Sequence, residues 1–445
     1  MSEEATLDEF VEESEKPEVS ESTVPDDWQI TRADEIMEIT RGASPRPKGD
    51  PELFGGDIPW VKIGDVDVKN ARYTGDTEDT VTEKGAEKSK LVDSGTLLVS
   101  NSGTCGYPMF AGIQSCVHDG WLILRDYEDV LNPHYLYEYI GWKQNYLKSL
   151  APGSTQINLN TSRMGVLEIN IPPLPEQRKI ATLLYTVDRA IEKTEEIIEQ
   201  TNRVRDGFIK QRVLATNSDK VRKEGIVGTR RVTIPENWST VRLGDVAEIV
   251  SGKSFPREYQ EGHAGSNAVI KVEDMNHPDN DKYIKNVTNR ISEETLDKLN
   301  KNVFPAEAVI HPRVGEALLL NKMRLTTEKA AFDDNIMGWI PNEINPEYLY
   351  YASTMIDFNA VAQTGTVPSI NKEMAANFRF PLPPEDEQMN IVEDLQRIDG
   401  QVSVYEREKN QLQRLKHGLQ QDLLSGTVRT TDTNIEVPDE IAQHG

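Results

Sequence analysis

Two runs of helical character, 174–214 and 384–424, constrain this chain more than any other feature, because they share one register. A shift of about 210 residues, the kind of self-similarity that marks an internal repeat, matches them apolar position for apolar position. Ile180 falls on Ile391, Leu184 on Leu395, Val187 on Ile398, Ile191 on Val402, Thr194 on Tyr405, Thr201 on Leu412, Val204 on Leu415 and Phe208 on Leu419. Apolar residues three and four apart put one narrow stripe on each helix, with Glu, Lys, Arg and Gln on the other faces, and such a stripe needs a partner. At about 1.5 Å per residue, roughly 40 residues make a rod near 60 Å long, more than one globular core requires. Both rods open behind prolines (Pro172, Pro173 and Pro175; Pro381, Pro383 and Pro384). Proline suits a helix's first turn. Acidic Glu176, and Glu385, Asp386 and Glu387, suit the positive end of the helix dipole. Two ordinary amphipathic helices buried in a larger core are the bland alternative, which leaves the shared register unexplained.

The repeat extends into the globular parts. Val24, Pro25, Asp26, Asp27, Trp28 returns as Ile234, Pro235, Glu236, Asn237, Trp238, and Gly42 returns as Gly252. Val61, Lys62, Ile63 matches Ile270, Lys271, Val272; Gly120, Trp121 matches Gly338, Trp339; and Asn132, Pro133, His134, Tyr135, Leu136, Tyr137 matches Asn345, Pro346, Glu347, Tyr348, Leu349, Tyr350. Short alternating or apolar stretches at 60–63, 96–100, 121–124 and 308–311 read as strands, and 133–150 and 346–364 as helices. Each globular half is therefore expected to be mixed α/β. The expected organisation is an acidic disordered tail (1–23), a first globular domain (24–173), a central helix (174–216), a linker (217–232), a second globular domain (233–382), a second helix (383–426) and a polar tail (427–445). One rod leads from the first globule to the second and the other leads back, so an antiparallel coiled coil and a pseudo-two-fold repeat are expected.

A chain of 445 residues exceeds a single core. Its two cysteines, Cys105 and Cys116, make no disulfide framework and fit a reducing, cytoplasmic compartment. The absence of an apolar run near 20 residues argues against a membrane partner. The formal net charge is -25, with a sequence pI of about 4.8. That balance suits either a protein that avoids polyanions or an acidic surface of the salt-adapted kind. Basic residues are nonetheless grouped: Arg41, Arg46 and Lys48; Lys220, Arg222 and Lys223; Arg230 and Arg231. Local sign is what a nucleic acid meets.

With these marks in view, the chain resembles the specificity subunit of type I restriction-modification enzymes over nearly its full length. The resemblance is carried by the Pro, acidic, Trp opening of each half and by Glu176, Gln177, Arg178, Lys179, Ile180 with its twin from Glu387 and Gln388 to Ile391. The terminal Gly418, Leu419, Gln420, Gln421, Asp422, Leu423, Leu424, Ser425, Gly426 adds to it. It implies two target-recognition domains that each read half of a split, asymmetric site on double-stranded DNA, with the helices as a ruler. It also implies two methyltransferase subunits docked on the helical regions and restriction/translocase subunits on the complete enzyme. S-adenosylmethionine, ATP and Mg²⁺ would be used by those partners, and this chain would bind no cofactor and catalyse nothing. Heads one turn of B-DNA apart need about 34 Å between centres, within reach of rods of that length.

Three near-motifs favour bland readings. Asn132, Pro133, His134, Tyr135 is similar to the signature of adenine N6-methyltransferases, yet Asn-Pro at a helix start explains both copies. Gly252, Lys253, Ser254 has the tail of a phosphate loop but Ala247 where its leading glycine belongs, so a turn is expected. Cys105 in the loop from Ser102 to Gly106 has no evident histidine partner and reads as buried. Trp28, Trp238, Trp121 and Trp339, at matching places, read as core.

DNA contacts are expected from loops flanking the strands. The candidates are Arg41, Arg46 and Lys48 beside Lys253 and Arg257; Lys62 beside Lys271; and Ser102 and Thr104 beside Arg313. The loops 153–158 and 365–371 add Ser154, Thr155, Gln156 and Asn158, and Asn371 with Lys372. Amide side chains suit bidentate pairing with adenine, and Lys or Arg on phosphates fixes register. A stand-alone methyltransferase or nuclease and a DNA-blind coiled-coil scaffold are the rival readings.

Overall fold

The computed structural model describes residues 24–67, 71–102, 104–150, 158–213, 222–227, 230–259, 265–300, 302–362 and 367–442. The acidic segment 1–23 lies outside them. The chain divides into two compact units, 1–194 with 408–445 and 195–407. Both divides fall within the long helices, which run Leu174–Val213 and Glu385–Leu424. Each unit thus combines one globular head with a portion of each helix.

In the first unit, Glu38–Arg41, Trp121–Arg125, Leu97–Ser100 and Pro108–Phe110 form an antiparallel sheet in that order. Beside it, Phe54–Val61 pairs with Thr80–Val81 and, in parallel, with Ser115–Val117. In the second unit, Ala247–Ser251, Ile336–Pro341, Val309–Pro312 and Arg324–Thr326 are consecutive strands of one sheet. Asn267–Ile270 there pairs in parallel with Ala330–Phe332. Each head is mixed α/β, and the second repeats the central strands of the first while adding strand Tyr283–Ile284 and helix Gly315–Leu319.

The same joints fasten head to helix in both units. Asn132 and Asn345 cap the helices Pro133–Trp142 and Pro346–Ser353 through their side-chain oxygens, with proline in the first turn. The backbone N–H of Asn132 donates to Gln177 Oε1 at 2.8 Å, and that of Asn345 to Gln388 Oε1 at 2.9 Å. Trp28 Nε1 donates to Glu176 Oε2 at 3.1 Å, and Trp238 Nε1 to Glu387 Oε2 at 2.9 Å. Tyr135 and Tyr348 donate their hydroxyls to the carbonyls of Asn170 (2.7 Å) and Pro381 (2.8 Å). The Glu-Gln pairs at the helix starts therefore serve as fasteners for buried head groups.

Within each unit the two helix portions run antiparallel. In the first, Asp188 meets Lys416 while Glu176 meets Arg429, just past the end of the second helix; in the second, Arg212 meets Asp394 while Arg205 meets Asp399. The start of each stripe packs into a head. Ile180, Ala181 and Leu184 join Tyr135, Leu136, Leu423 and Leu424, and Ile391, Val392 and Leu395 join Tyr348, Leu349, Ile209 and Val213. Further along, the expected stripe fails at one matched pair: Val204 and Leu415 are 58% and 51% exposed. Their neighbours Arg205 and Lys416 turn inward instead, to Asp399 (3.6 Å) and Asp188 (2.6 Å). A sustained three-and-four pattern drifts around a straight helix, and there an ion pair holds the seam.

Strand register corrects another expected match. Leu97 pairs with Leu124 and Val309 with Trp339; Arg41 pairs with Leu122 and Ser251 with Met337. Trp339 therefore occupies the place of Leu124, and Trp121 that of Ile336. Three residues apart on a strand, the two tryptophans face opposite sides of their sheets, and they sit in non-equivalent cores. Both are fully buried, as are Cys105 and Cys116 nearly so.

In the segment expected to be a linker, 217–232, strand Arg222–Val227 begins an antiparallel pair with Arg230–Pro235. The polar tail packs on the first unit as far as 442. Arg429 donates to Glu176 and Asp27, Lys179 Nζ donates to the carbonyls of Thr430, Thr431 and Thr433 at 2.8–3.1 Å, and Ile441 is fully buried. No described helix is long and apolar enough to cross a membrane.

Candidate nucleic-acid interface

At one end of each head's sheets the same set of loops is knitted together by equivalent hydrogen bonds. In the first head the N–H groups of Gly42 and Ala43 donate to the carbonyls of Trp121 and Val117, Asn101 N–H to Gly120, and Leu159 N–H to Asn101. In the second, Gly252 and Lys253 donate to Ile336 and Phe332, Arg313 to Asn335, and Ile370 to Arg313. Ser102 bridges to Asn158, and Val314 bridges to Ser369 at the matching place.

The glycines are obligatory. A Cβ on Gly42 would lie 2.2 Å from the His118 carbonyl oxygen, and one on Gly252 2.0 Å from that of Asp333. Gly252, Lys253, Ser254 is thus a close crossing of two loops and not the turn expected of it, and Ser254 is the twin of Ser44.

Most of the expected contact residues gather at this end. Arg41, at the end of strand Glu38–Arg41, and Arg46 and Lys48, on the loop after it, are exposed. Arg41 Nε donates to the Asp119 carbonyl at 2.6 Å, and Ser44 donates to the Asp119 carboxylate. Asn158 is exposed, Ser102 and Thr104 are half-buried, and Ser154, Thr155 and Gln156 lie outside the described residues. In the second head Lys253 and Arg257 are exposed, and the Lys253 ammonium donates to the Asn300 carbonyl. Arg313 Nη1 donates to the Asp334 carbonyl at 3.4 Å, where Asn101 Nδ2 donates to that of Asp119 at 2.9 Å.

Lys62 and Lys271 adjoin these loops with their charges engaged. Lys62 Nζ lies 2.7 Å from Asp79 and 3.4 Å from Asp65, and Lys271 Nζ lies 2.7 Å from Glu273. Their N–H groups are capped alike, by Asp65 (2.9 Å) and Asp274 (2.8 Å). Asn371 is an N-cap, accepting from Met374 N–H at 2.8 Å, as Asn160 does from Arg163 N–H at 2.9 Å. Lys372 is exposed on the helix that Asn371 caps.

The residues that sequence reasoning missed are His118 and Asp119, with Asp333 and Asp334 in their places. Nothing local signals them, because the antiparallel pairing of Glu38–Arg41 with Trp121–Arg125 brings their loop beside 41–48. His118 Nδ1 accepts from Gly120 N–H at 2.9 Å, so Nε2 carries the proton and stands 3.1 Å from Asp119 Oδ1. Burial pushes the imidazole pKa down; Asp119 opposes this, and Lys48, Arg41 and Arg46 reinforce it. Burial raises the Asp119 carboxyl, but Ser44, His118 and Arg41 outweigh it and hold the group below its usual range.

The family model described as the type I restriction modification DNA specificity domain matches twice, at 25–203 and 235–414. The type I restriction enzyme MjaVIII specificity subunit of Methanocaldococcus jannaschii is 24% identical over 438 residues, covering 96% of this chain and 98% of that protein. The MjaIX specificity subunit of the same organism is 29% identical over 326 residues, covering 69% and 70%. Among solved structures, a chain from work on complex assembly and conformational transition of the type I R-M system superposes with a TM-score of 0.57 at 17% identity, covering 91% of this chain and 99% of that one. The type-I S subunit from M. genitalium gives 0.51 at 17% identity, covering 89% and 96%. The duplicated family match, spanning both heads and much of both long helices, shows that this chain belongs to the specificity subunits of type I restriction-modification systems.

Proposed function

We propose that each head reads one half of a bipartite, asymmetric site on double-stranded DNA through its knitted loop end. One observation supports this reading above others: the loop frameworks are the same in both heads while the side chains at their surface differ, with Ser102 and Asn158 in one where Val314 and Ser369 stand in the other. Equal frameworks give equal docking, and unequal side chains give a non-palindromic site, since base edges are told apart by donor and acceptor pattern. Exposed Arg41, Arg46, Lys48 and Arg257 suit phosphates.

The chain acts without catalysis of its own. It directs two methyltransferase subunits, which use S-adenosylmethionine, and restriction/translocase subunits, which use ATP and Mg²⁺. Mapping methylated bases in a genome that carries this gene and its neighbours tests the reading. A split, asymmetric motif is expected; a continuous palindrome, or methyl transfer by the purified chain alone, contradicts it.

A further inference from the structure

We propose that in the first head Arg41, Arg46, Lys48 and His118 form a seat for one DNA backbone phosphate, and that filling it draws a proton onto His118. This deepens the DNA-reading role proposed above and rests on it. The stretch 41–48 carries three cations and no carboxylate, in a chain whose formal charge is -25. It crosses the loop 118–120 at Gly42, close enough that no side chain fits there. All three cations act electrostatically on the His118 ring.

That ring is held in place. It lies 5.3 Å from the indole of Trp60, itself buried, and its two nitrogens face Gly120 N–H and the Asp119 carboxylate. Asp119 is in turn fixed by Ser44, by Arg41 Nε on its carbonyl and by Asn101 Nδ2 on the same oxygen. A rigid loop that keeps three cations about a half-buried imidazole is preorganised for an anion. The Arg41 guanidinium also lies 3.6 Å from the Asp119 carboxylate, and the other charged groups bordering these loops are Lys88, whose ammonium donates to the Arg46 carbonyl at 3.4 Å, and Lys62 with Asp65 and Asp79, an ion group already closed on itself.

The proton balance follows from the tautomer. Nε2 already bears hydrogen, so the incoming proton comes from solvent and goes to Nδ1, displacing the Gly120 N–H. A phosphate among the three cations offsets the repulsion that disfavours the imidazolium. Among the described residues the second head has no such seat: Asp333 stands for His118 and Asp334 for Asp119, Glu258 follows Arg257, and the Lys253 ammonium is turned to the Asn300 carbonyl. Phosphate anchoring and its pH dependence thus belong to one half-site.

The test uses the full chain. Duplexes are selected from a random pool, and affinity for the selected duplex is measured between about pH 6 and about pH 8 at fixed ionic strength. The wild type is expected to bind several-fold more tightly at the acidic end, and H118Q to lose that gain while selecting the same sequence. The double variant R46A/K48A, at exposed positions, is expected to lower the salt slope by about one. Superimposable pH profiles for wild type and H118Q, or an unchanged salt slope in R46A/K48A, overturn the seat alone. Failure to enrich any sequence overturns the DNA-reading role as well.

Discussion

The two units fasten head to helices at equivalent places with different chemistry. In the first, Arg72 and Lys416 face Glu138 and Asp188: Arg72 lies 3.0 Å from Glu138 and 3.3 Å from Asp188, and Lys416 lies 2.6 Å from Asp188 and 3.3 Å from Glu138. In the second, Asp399 takes the place of Asp188 and Arg205 that of Lys416, and Lys282 reaches Glu347 at 2.5 Å and Asp399 at 3.3 Å. Where Glu138 stands in the first, the second has Tyr351, whose hydroxyl accepts from Lys282 at 2.6 Å and donates to Asp399 at 2.5 Å. Both units therefore keep an acid on one helix, a base on the other and a base from the head. Which side chain supplies the second carboxylate is free to vary, because charge balance and not residue identity decides whether buried ions are tolerable.

The largest expected effect comes from breaking the all-ionic version. Glu138 is 1% exposed, and E138A leaves two half-buried cations, Arg72 and Lys416, short of a partner, so loss of about 3–5 kcal/mol is expected for the first unit. Denaturant unfolding of the full chain, followed by hydrogen exchange in each unit, checks that the loss is confined to the first.

Truncation before Arg429 comes next. Glu176 is 3% exposed and accepts from Arg429 Nε (2.9 Å), Thr430 N–H (3.1 Å) and Trp28 Nε1 (3.1 Å). Burial raises this carboxyl, and those donors more than reverse the effect and hold it low. Losing the strap should cost about 2–4 kcal/mol and expose the start of the first long helix to limited proteolysis. The corresponding change in the second unit is smaller. Y351F removes one buried hydroxyl from the ion group and should cost about 1–2 kcal/mol by the same unfolding measurement.

A pH series sharpens the contrast. Burial, then the neighbouring Glu138, pushes the Asp188 carboxyl up to about 7, while Lys416 opposes them. Its ordinary value is 3.8. A carboxyl raised on folding contributes most below the unfolded value and loses that contribution as pH rises through the folded one. Glu138, held low by Lys416 and Arg72 against burial, works in the opposite sense and at more acid pH. The first unit should therefore soften between about pH 4 and about pH 7, and D188N should remove that slope. Thermal melts at constant ionic strength decide it.

How much of this was legible in the letters depends on distance along the chain. The helices, their shared register and the Asn-Pro caps are local or periodic, and the duplicated Trp and Glu-Gln positions are the ones that bond each other in both units. The Gly-Trp match at 120–121 and 338–339 paired letters out of register, since only strand partners reveal that Trp339 stands for Leu124. Lys62 and Lys271 looked like free cations because the carboxylates that engage them follow a turn. His118 and Asp119 carried no signal at all, because two strands far apart in sequence bring them to Arg41. Much of the candidate interface is built from such non-local crossings, so sequence pointed to its loops more readily than to its chemistry.

The most direct test of the central claim is to determine the recognised sequence for the wild type and for a chain whose first head carries the second head's groups, S102V with N158S. The account predicts that one half of a split motif changes while the other half and the gap between them stay the same. Change in both halves, or a single continuous motif, would contradict it.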